Sequence, residues 1–305
     1  MRAGSRGFIV SALAVPVILY CVLVVSPYAQ SFYISLTDWN GLSPQKNFVG
    51  LANYTRLMRD DVFWTSLWHN VIAVVVIPIG TLVLGLFFAT MIRVGRYRAR
   101  GGTLNVRGGA FYRVAYFFPH VLSIAVIGVL FANVYDPTPS GLLNGLLGVA
   151  KIDAVNWLGD KSTAYGAILA VIVWMSVGFY VVLFTSSMSA IPVELFEAAR
   201  LDGATRWQTF WRLTLPLIWD TVQVAGVYLG IHALDMFAIV NVMSAAGGSG
   251  GPDNATQVLG NYLYLTAFSD SEFGYATAVG VALLLLTLLF AWVSLRLTRR
   301  ERIEY

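Results

Sequence analysis

The residues best able to do chemistry in this sequence are polar side chains that lie inside long apolar runs. Tyr228, His232 and Asp235 are spaced by four and then three residues, so a continuous helix would place all three on one face. An aspartate at the centre of a membrane helix costs about 2.5–3.5 kcal/mol, so such groups are candidates for function. They could line a solute pathway or, alternatively, His232 and Asp235 could simply pair to hold helices together.

An earlier apolar run adds hydroxyl groups and aromatic rings to these candidates. Ser176 and Tyr180 lie one helical turn apart, and Trp174 and Phe179 are close by. A sugar needs partners for its hydroxyl groups and aromatic faces for the C–H side of its ring. The predicted substrate pathway comprises Trp174, Ser176, Phe179, Tyr180, Tyr228, His232 and Asp235. The alternative is that the aromatic residues only pack the helices.

Other kinds of chemistry find little support in the sequence. No Cys, His and carboxylate grouping has the spacing of a metal site, and His69 and His120 are expected at the membrane interface, near the ends of apolar runs. Lys161-Ser162 follows Asp160, where a phosphate-binding loop requires glycine. We therefore expect no catalysis, metal or cofactor in this chain. If ATP drives transport, another subunit must bind it.

The composition places most of the chain in lipid. Of its 305 residues, 57% are hydrophobic and only 12% are charged, about half the charged fraction of soluble domains. Six apolar runs reach the length of about 20 residues that crosses a bilayer. They are Phe8–Phe32, Leu67–Ile92, Phe111–Tyr135, Tyr165–Met188, Leu217–Met243 and Tyr275–Leu297. The sequence predicts an all-α, multi-pass membrane protein; the family resemblance described below implies a bacterial cell membrane.

The distribution of basic residues sets the orientation of these spans. Fifteen of the 20 Lys and Arg residues lie at the two termini and in the second and fourth connecting loops. By the positive-inside rule these segments are cytoplasmic, which gives an N-in, C-in topology. The predicted organisation is a cytoplasmic N-terminus (1–7), a six-span domain (8–297) with a cytoplasmic segment at 191–216, and a cytoplasmic tail (298–305). The net charge of +4 then reflects orientation and does not indicate a nucleic-acid partner.

The segment Ile191–Pro216, which we call the elbow, interrupts the apolar sequence with two short predicted helices. Pro192 suits the first turn of the first helix, and Gly203 suits its end because glycine readily adopts positive φ. Thr205 can cap a second helix that runs to about Leu213.

The second elbow helix is amphipathic, and its predicted end leads into the next span. Trp207, Phe210 and Trp211 would form an apolar face that needs cover. Pro216 then suits the first turn of the following span. This arrangement favours a docking surface between two spans.

The elbow resembles the EAA loop of binding-protein-dependent ABC importer permeases. The matching pattern is Glu197-Ala198-Ala199, three residues, Gly203, nine residues, Leu213, one residue and Leu215-Pro216, and IP-x-E-L-x-EAA-x-x-DGA resembles the carbohydrate branch of the family. Leu213 departs conservatively from the isoleucine that is commoner in the family. The resemblance implies a six-helix type I ABC importer permease bundle, whose loop inserts into a cleft of a cytoplasmic ATPase and passes its closing motion to the spans.

The resemblance also implies roles for particular residues of the elbow. Glu197 would meet a basic group of the ATPase, Ala198 and Ala199 would keep the contact close, and Gly203 would form the bend. The implied ATPase-coupling residues are Glu197, Ala198, Ala199, Asp202, Gly203, Leu213, Leu215 and Pro216. The alternative is an ordinary amphipathic cytoplasmic loop.

Two outward segments carry further resemblances to sugar permeases. One contains DWNGLSP and FVGLANY, followed by a predicted interfacial helix that ends in Phe63 and Trp64. The other contains GGP-x-x-A-T and FGYATA, with a short helix expected at Asn261–Phe268. The partners implied by the resemblance are an ABC ATPase dimer that carries ATP and Mg, a second related permease subunit and an extracytoplasmic sugar-binding lipoprotein.

The resemblance extends to a substrate class. The N-terminal pattern, the arginine-rich loop at 92–112 before VAYFFP, and the RRER-x-EY end are similar to actinobacterial permeases for N-acetylglucosamine or chitobiose. The expected function is that of the permease subunit of an ATP-driven importer of a sugar or oligosaccharide. The rival hypothesis is a stand-alone secondary transporter or channel with a His232–Asp235 proton relay, which leaves the elbow unexplained.

Overall fold

The computed structural model describes residues 3–98, 109–148, 154–244 and 250–298. Within these ranges the regular structure is helical apart from an isolated β-bridge between Thr37 and Phe48, which confirms the all-α prediction. The α-helices are α1 (Ala3–Tyr20), α2 (Ser26–Ile34), α3 (Ala52–Leu57), α4 (Asp61–Arg98), α5 (Gly109–Val121), α6 (Ile124–Val134), α7 (Leu142–Leu146), α8 (Ala164–Ser189), α9 (Val193–Leu201), α10 (Arg206–Thr209), α11 (Leu215–Leu217), α12 (Trp219–Leu234), α13 (Phe237–Ser244), α14 (Leu259–Phe268) and α15 (Phe273–Thr298). Segments Cys21–Val25 and Phe210–Thr214 are π-helical, and Pro252–Asn254 is a 3-10 turn.

Some predicted features lie outside the described residues. They are the centre of the arginine-rich loop (99–108), the residues 245–249 that precede the GGP motif, and the tail beyond residue 298.

Four helices of the described chain are long and apolar enough to cross a membrane without a break. They are Ser11–Ile34, Asp61–Ile92, Ala164–Ser189 and Phe273–Arg296. Two further candidates are bent pairs, in which two shorter helices meet at a sharp angle: Val114–Val121 with Ile124–Val134, and Arg206–Leu217 with Trp219–Leu234. The first pair lies in the predicted third run. The second pair joins the end of the elbow to the first part of the predicted fifth run.

The predicted third span, Phe111–Tyr135, contains two helices, because α5 and α6 meet at an angle of 104°. Pro119 lies in the last turn of α5 and cannot donate a backbone hydrogen bond. Ser123 then starts α6 as its N-cap, and its hydroxyl accepts a hydrogen bond from the Val126 amide at 3.4 Å. A proline followed by a capping serine explains why one apolar run gives two helices.

The prediction of a continuous fifth span, Leu217–Met243, was wrong. The helix α12 ends at Leu234, and α13 begins only at Phe237. Asp235 lies at the break with ψ of 47°, outside the helical region, and its amide donates to the His232 carbonyl at 3.1 Å. Aspartate is a poor residue for a helix interior because its short side chain competes for backbone groups, which favours a break here.

The described chain divides into two compact units, one formed by parts of 1–64 and 259–286 and the other by parts of 65–258 and 287–305. In the first unit, the side-chain amide of Asn53 donates to the backbone carbonyls of Ser35 and Thr37, both at 2.8 Å. The short helix α3 ends at Leu57, so the predicted helix ending at Phe63 and Trp64 was wrong: both residues belong to α4. The predicted helix at Asn261–Phe268 is α14.

The second unit holds the larger apolar core, formed mainly by α8, α12 and α13. Phe184, Met188 and Ile218 are among its fully buried side chains. Ile191, Phe210 and Leu215 of the elbow pack against this core. The elbow is therefore attached by apolar contacts to the helices that surround it.

Candidate functional site

The bend of the elbow is fixed by backbone hydrogen bonds at the end of α9. Gly203 has φ of +73°, and its amide donates to the Arg200 carbonyl at 3.0 Å. The Ala204 amide donates to the Ala199 carbonyl at 2.9 Å. These two bonds form a Schellman motif. The motif requires one residue in the left-handed backbone conformation, with positive φ, and glycine adopts this conformation most easily.

The second helix of the elbow starts with a complete capping box. The Gln208 amide donates to the Thr205 hydroxyl at 3.3 Å, and the Gln208 side-chain oxygen accepts from the Thr205 amide at 2.8 Å. The reciprocal bonds satisfy two backbone donors at the start of α10. The N-cap predicted at Thr205 is confirmed.

Two boundaries of the elbow differ from the prediction. Pro192 is the N-cap of α9 and precedes its first turn. The second helix does not stop near Leu213, because the helical chain runs through a π-helical segment to Leu217 and then bends by 71° into α12. Pro216 therefore belongs to the elbow and does not start the following span, since the break lies at Ile218.

The elbow presents both charged and apolar side chains to its surroundings. Glu197, Ala198 and Asp202 are exposed, and Glu197 has no ion-pair partner within the described chain. The predicted apolar face is divided: Phe210 packs on the core, whereas Trp207 is 70% exposed. Leu201, next to the bend, is 90% exposed. An exposed surface of this kind is typical of a contact with another protein.

A stack of two rings marks the candidate pathway in the second unit. The His120 imidazole lies on the Phe179 ring, with centroids 5.1 Å apart and planes 29° from parallel. The stack depends on a close approach of α5 to α8 at Gly178, where a Cβ atom would lie 1.7 Å from the Tyr116 carbonyl oxygen. His120 was expected near the end of a span, but it lies in the last turn of α5, beside the break of the third span.

The predicted face of the fifth span is only partly formed. The rings of Tyr228 and His232 are 5.2 Å apart, and both side chains are exposed. Asp235 does not continue the helical face, because it lies in the break after α12. The structure therefore brings Tyr228 and His232 together and places Asp235 just beyond the end of their helix.

The candidates on α8 divide into exposed and buried groups. Trp174 is 44% exposed and makes an edge contact with Phe131 at 5.0 Å. The Ser176 hydroxyl donates to the Ile172 carbonyl of the same helix. Its proton is therefore already used in a hydrogen bond, and only its oxygen could accept one from a ligand. Tyr180 is only 3% exposed and packs against Phe179. Below, "the wall" denotes the exposed or half-buried side chains His120, Trp174, Phe179, Tyr228, His232 and Asp235.

A polar cluster in the first unit was not predicted from the sequence. Asp60 is the N-cap of α4: its carboxylate accepts from the amides of Val62 and Phe63 at 2.9 and 3.2 Å. The hydroxyl groups of Tyr262 and Tyr275 donate to the other carboxylate oxygen. The sequence signal was the aspartate pair before an aromatic run, but its partners are about 200 residues away in the chain.

The electrostatics of the cluster favour an ionised Asp60. Burial alone would raise the pKa of Asp60, but the hydrogen bonds from Tyr262, Tyr275 and the backbone outweigh it and lower the pKa. Burial and the bond to Asp60 raise the pKa of Tyr262 to about 12. Arg56 lies beside this cluster, 2.7 Å from Glu272 and 4.1 Å from the centre of the Tyr275 ring.

The chain combines helices long enough to cross a membrane with a bent elbow between two of them, and the family match identifies it as a permease of an ABC transporter. The chain belongs to the family of binding-protein-dependent transport system inner membrane components, whose profile matches residues 81–303. It is therefore a transport component of the cell membrane.

Individual relatives support this assignment over nearly the whole chain. The diacetylchitobiose uptake system permease protein NgcF of Streptomyces coelicolor is 42% identical, with 93% of this chain and 80% of the relative covered. The multiple sugar-binding transport system permease protein MsmF of Streptococcus mutans is 30% identical, with 94% of each chain covered. The family gives no support to a stand-alone secondary transporter.

A solved structure has the same fold. A chain of a bacterial ABC transporter involved in the import of the acidic polysaccharide alginate superposes with a TM-score of 0.80, covering 97% of this chain and 96% of the other at 20% identity.

Proposed function

We propose that this chain is the permease subunit of an ATP-driven importer that takes up an uncharged sugar or short oligosaccharide delivered by an extracytoplasmic binding protein. ATP and Mg would bind to a separate ATPase dimer at the cytoplasmic face. A second, related permease subunit would complete the pathway. N-acetylglucosamine oligosaccharides such as diacetylchitobiose are the first substrates to test, because a 42% identical relative is named for diacetylchitobiose uptake.

This proposal rests mainly on the structure of the elbow. Its bend is closed by the Gly203 motif and the Thr205 cap, and its apolar residues pack on the core of the spans. The side chains of Glu197 and Leu201 are exposed, and no part of the described chain covers them. A rigid segment with one side attached to the spans and the other side open is suited to receive motion from an ATPase.

The wall supplies the kind of groups that a sugar requires. Phe179, Trp174 and Tyr228 offer aromatic faces for the C–H side of a pyranose ring. The imidazole nitrogens of His120 and His232 can form hydrogen bonds with the hydroxyl groups of a sugar. We infer that sugar passes along these residues during the change between outward and inward access.

The proposal is tested by uptake in cells that express the chain together with its partner genes. Labelled N,N′-diacetylchitobiose should accumulate, and a substitution that abolishes ATP binding in the partner ATPase should stop uptake. An uncoupler applied while ATP is maintained should leave uptake unchanged. Uptake that survives loss of the ATPase and is abolished by the uncoupler would refute the proposal and support a proton-driven transporter.

The partner set is tested separately by purification of a tagged chain from its own membranes in mild detergent. Recovery of an ATPase, a different permease chain and a lipid-anchored binding protein is expected. A chain that is recovered only with copies of itself would contradict the proposed second permease.

A further inference from the structure

Asp235 carries a carboxylate in a position where charge is costly. It lies within the apolar run that forms the fifth span, at the break between α12 and α13, and its side chain is exposed. Its backbone amide binds the His232 carbonyl, but its carboxylate has no hydrogen-bond or ion-pair partner within the described chain. Because lipid would penalise such a group, we expect the carboxylate to lie in polar surroundings and away from lipid.

The groups around Asp235 can all bind uncharged polar ligands. His232 lies one turn before it and is exposed beside Tyr228. A carboxylate accepts hydrogen bonds from hydroxyl groups, and these charge-assisted bonds are stronger than neutral ones. The set is therefore suited to a solute that is rich in hydroxyl groups.

In the described chain, the arginines of the six predicted runs and the elbow lie at the ends of runs or in the elbow, and these segments contain no lysine. These arginines are Arg113, Arg200, Arg206, Arg212 and Arg296. Recognition of an anionic sugar relies on arginine or lysine, because these residues neutralise a carboxylate or sulfonate. An exposed carboxylate in the same place repels such a group.

We propose that Asp235 determines charge specificity: the wall admits uncharged saccharides, and the Asp235 carboxylate excludes saccharides that carry a negative charge. This inference rests on the proposed function, since it concerns the same pathway. The fold alone does not impose the specificity, because a chain of the same fold belongs to an importer of an acidic polysaccharide. The side chains of the wall must therefore make the distinction.

The test measures ligand binding to the purified permease–ATPase complex in lipid nanodiscs, without the binding protein, so that only the permease selects. The probes are N,N′-diacetylchitobiose and the same disaccharide with one ring oxidised to a uronic acid. The variants are Asp235→Asn, which removes the charge and keeps the shape, and Asp235→Glu, which keeps the charge. The control is Asp220→Asn, an exposed aspartate in the first turn of the same helix.

The wild-type complex is expected to bind the neutral disaccharide more than about tenfold more tightly than the uronic acid. Asp235→Asn should reduce this ratio by about tenfold, whereas Asp235→Glu and Asp220→Asn should preserve it. The wild-type ratio should also decrease as salt is raised, because salt screens the repulsion. This measurement remains decisive if Asp235→Asn fails to assemble.

Equal binding of the two disaccharides by the wild type, or a ratio within twofold of wild type in Asp235→Asn, would overturn the inference. A wild-type ratio that does not depend on salt would also overturn it. Failure of the proposed function is distinguishable, because the wild-type complex would then show no ATP-dependent uptake of the neutral disaccharide.

Discussion

The hydroxyl groups of Ser187 and Thr221 lie 2.9 Å apart and form a hydrogen bond between the two helices that flank the elbow. Ser187 is near the end of α8, and Thr221 is in the first turn of α12. The bond joins the two spans directly beside the segment that we propose to receive motion from the ATPase. The spans are therefore expected to move together when the elbow moves.

Removing one partner of this bond should weaken the coupling between ATP hydrolysis and uptake. Ser187→Ala leaves the Thr221 hydroxyl unpaired and should cost about 1 kcal/mol of stability. Ser187→Ala with Thr221→Val should cost less than the two single changes together, because the bond is lost only once. The measurement is a double-mutant cycle on the melting temperature and on sugar transported per ATP, with exposed Ser186→Ala as control. Strictly additive effects would show that the bond contributes nothing.

Glu197→Lys should stop uptake while the protein still inserts into the membrane. The change reverses the charge of an exposed group that the family resemblance assigns to the ATPase contact. Recovery of the ATPase with the tagged chain should also decrease. Glu194→Lys is the matched control, because Glu194 is exposed in the first turn of the same helix. Normal uptake by Glu197→Lys would contradict the coupling role.

Thr205→Ala should destabilise the elbow by about 1 kcal/mol, since it removes the N-cap of α10. Thr205→Ser retains a hydroxyl that can accept from the Gln208 amide, so it should restore most of the loss. Hydrogen exchange of the amides of α10 measures the effect locally. Unchanged exchange in Thr205→Ala would show that tertiary packing, and not the cap, holds this helix.

Gly178→Ala should disrupt the packing of α5 on α8. The added methyl group would overlap the Tyr116 carbonyl, a backbone atom that cannot rotate away. Overpacking of this kind costs about 1–3 kcal/mol, and it should also displace His120 from Phe179. Gly166→Ala is the control, because nothing lies within 4 Å of a Cβ at that position of the same helix. Equal melting temperatures for the two variants would refute the close approach.

The Asp60 cluster should lose stability in acid. The pKa of Asp60 in the folded protein lies below the unfolded value of 3.8, so its stabilising effect is complete above that value. The effect is lost as the pH falls through the lower, folded pKa. The protection factors of the α14 amides, which correct for the intrinsic pH dependence of exchange, should decrease from about pH 6 to about pH 3, and less steeply in Asp60→Asn than in wild type. Asp61→Asn, which alters the exposed neighbour, should behave as wild type.

The parts of the fold that could be predicted from the sequence depend on local signals. Gly203 and Thr205 identify the elbow in the sequence. The positive φ of Gly203 and the N-cap at Thr205 each depend on hydrogen bonds to residues only a few positions away in the chain. Hydropathy located all six runs, but it does not report whether a helix continues through them. The break at Asp235 also involves a residue that is distant in sequence, because the Asn70 side chain donates to the Leu234 carbonyl at 3.5 Å.

The candidate site was less predictable than the fold, for a related reason. Tyr228 and His232 were placed together by helical spacing, and the structure retains that contact. His120 was missed because its position over Phe179 depends on how closely two helices approach at Gly178. The partners of Asp60 were missed because no local pattern links it to Tyr262 or Tyr275.

The closed bend at Gly203 has a mechanical consequence. A bend whose backbone groups lacked hydrogen bonds would deform when one helix is displaced. Here the Schellman motif and the adjoining cap hold the angle between α9 and α10, so we expect the two helices to move as one rigid unit. The chain next changes direction at the 71° bend at Ile218, whose amide and carbonyl are also hydrogen-bonded. If the ATPase contacts Glu197, as we propose, we expect its displacement to reach the base of α12 with little loss.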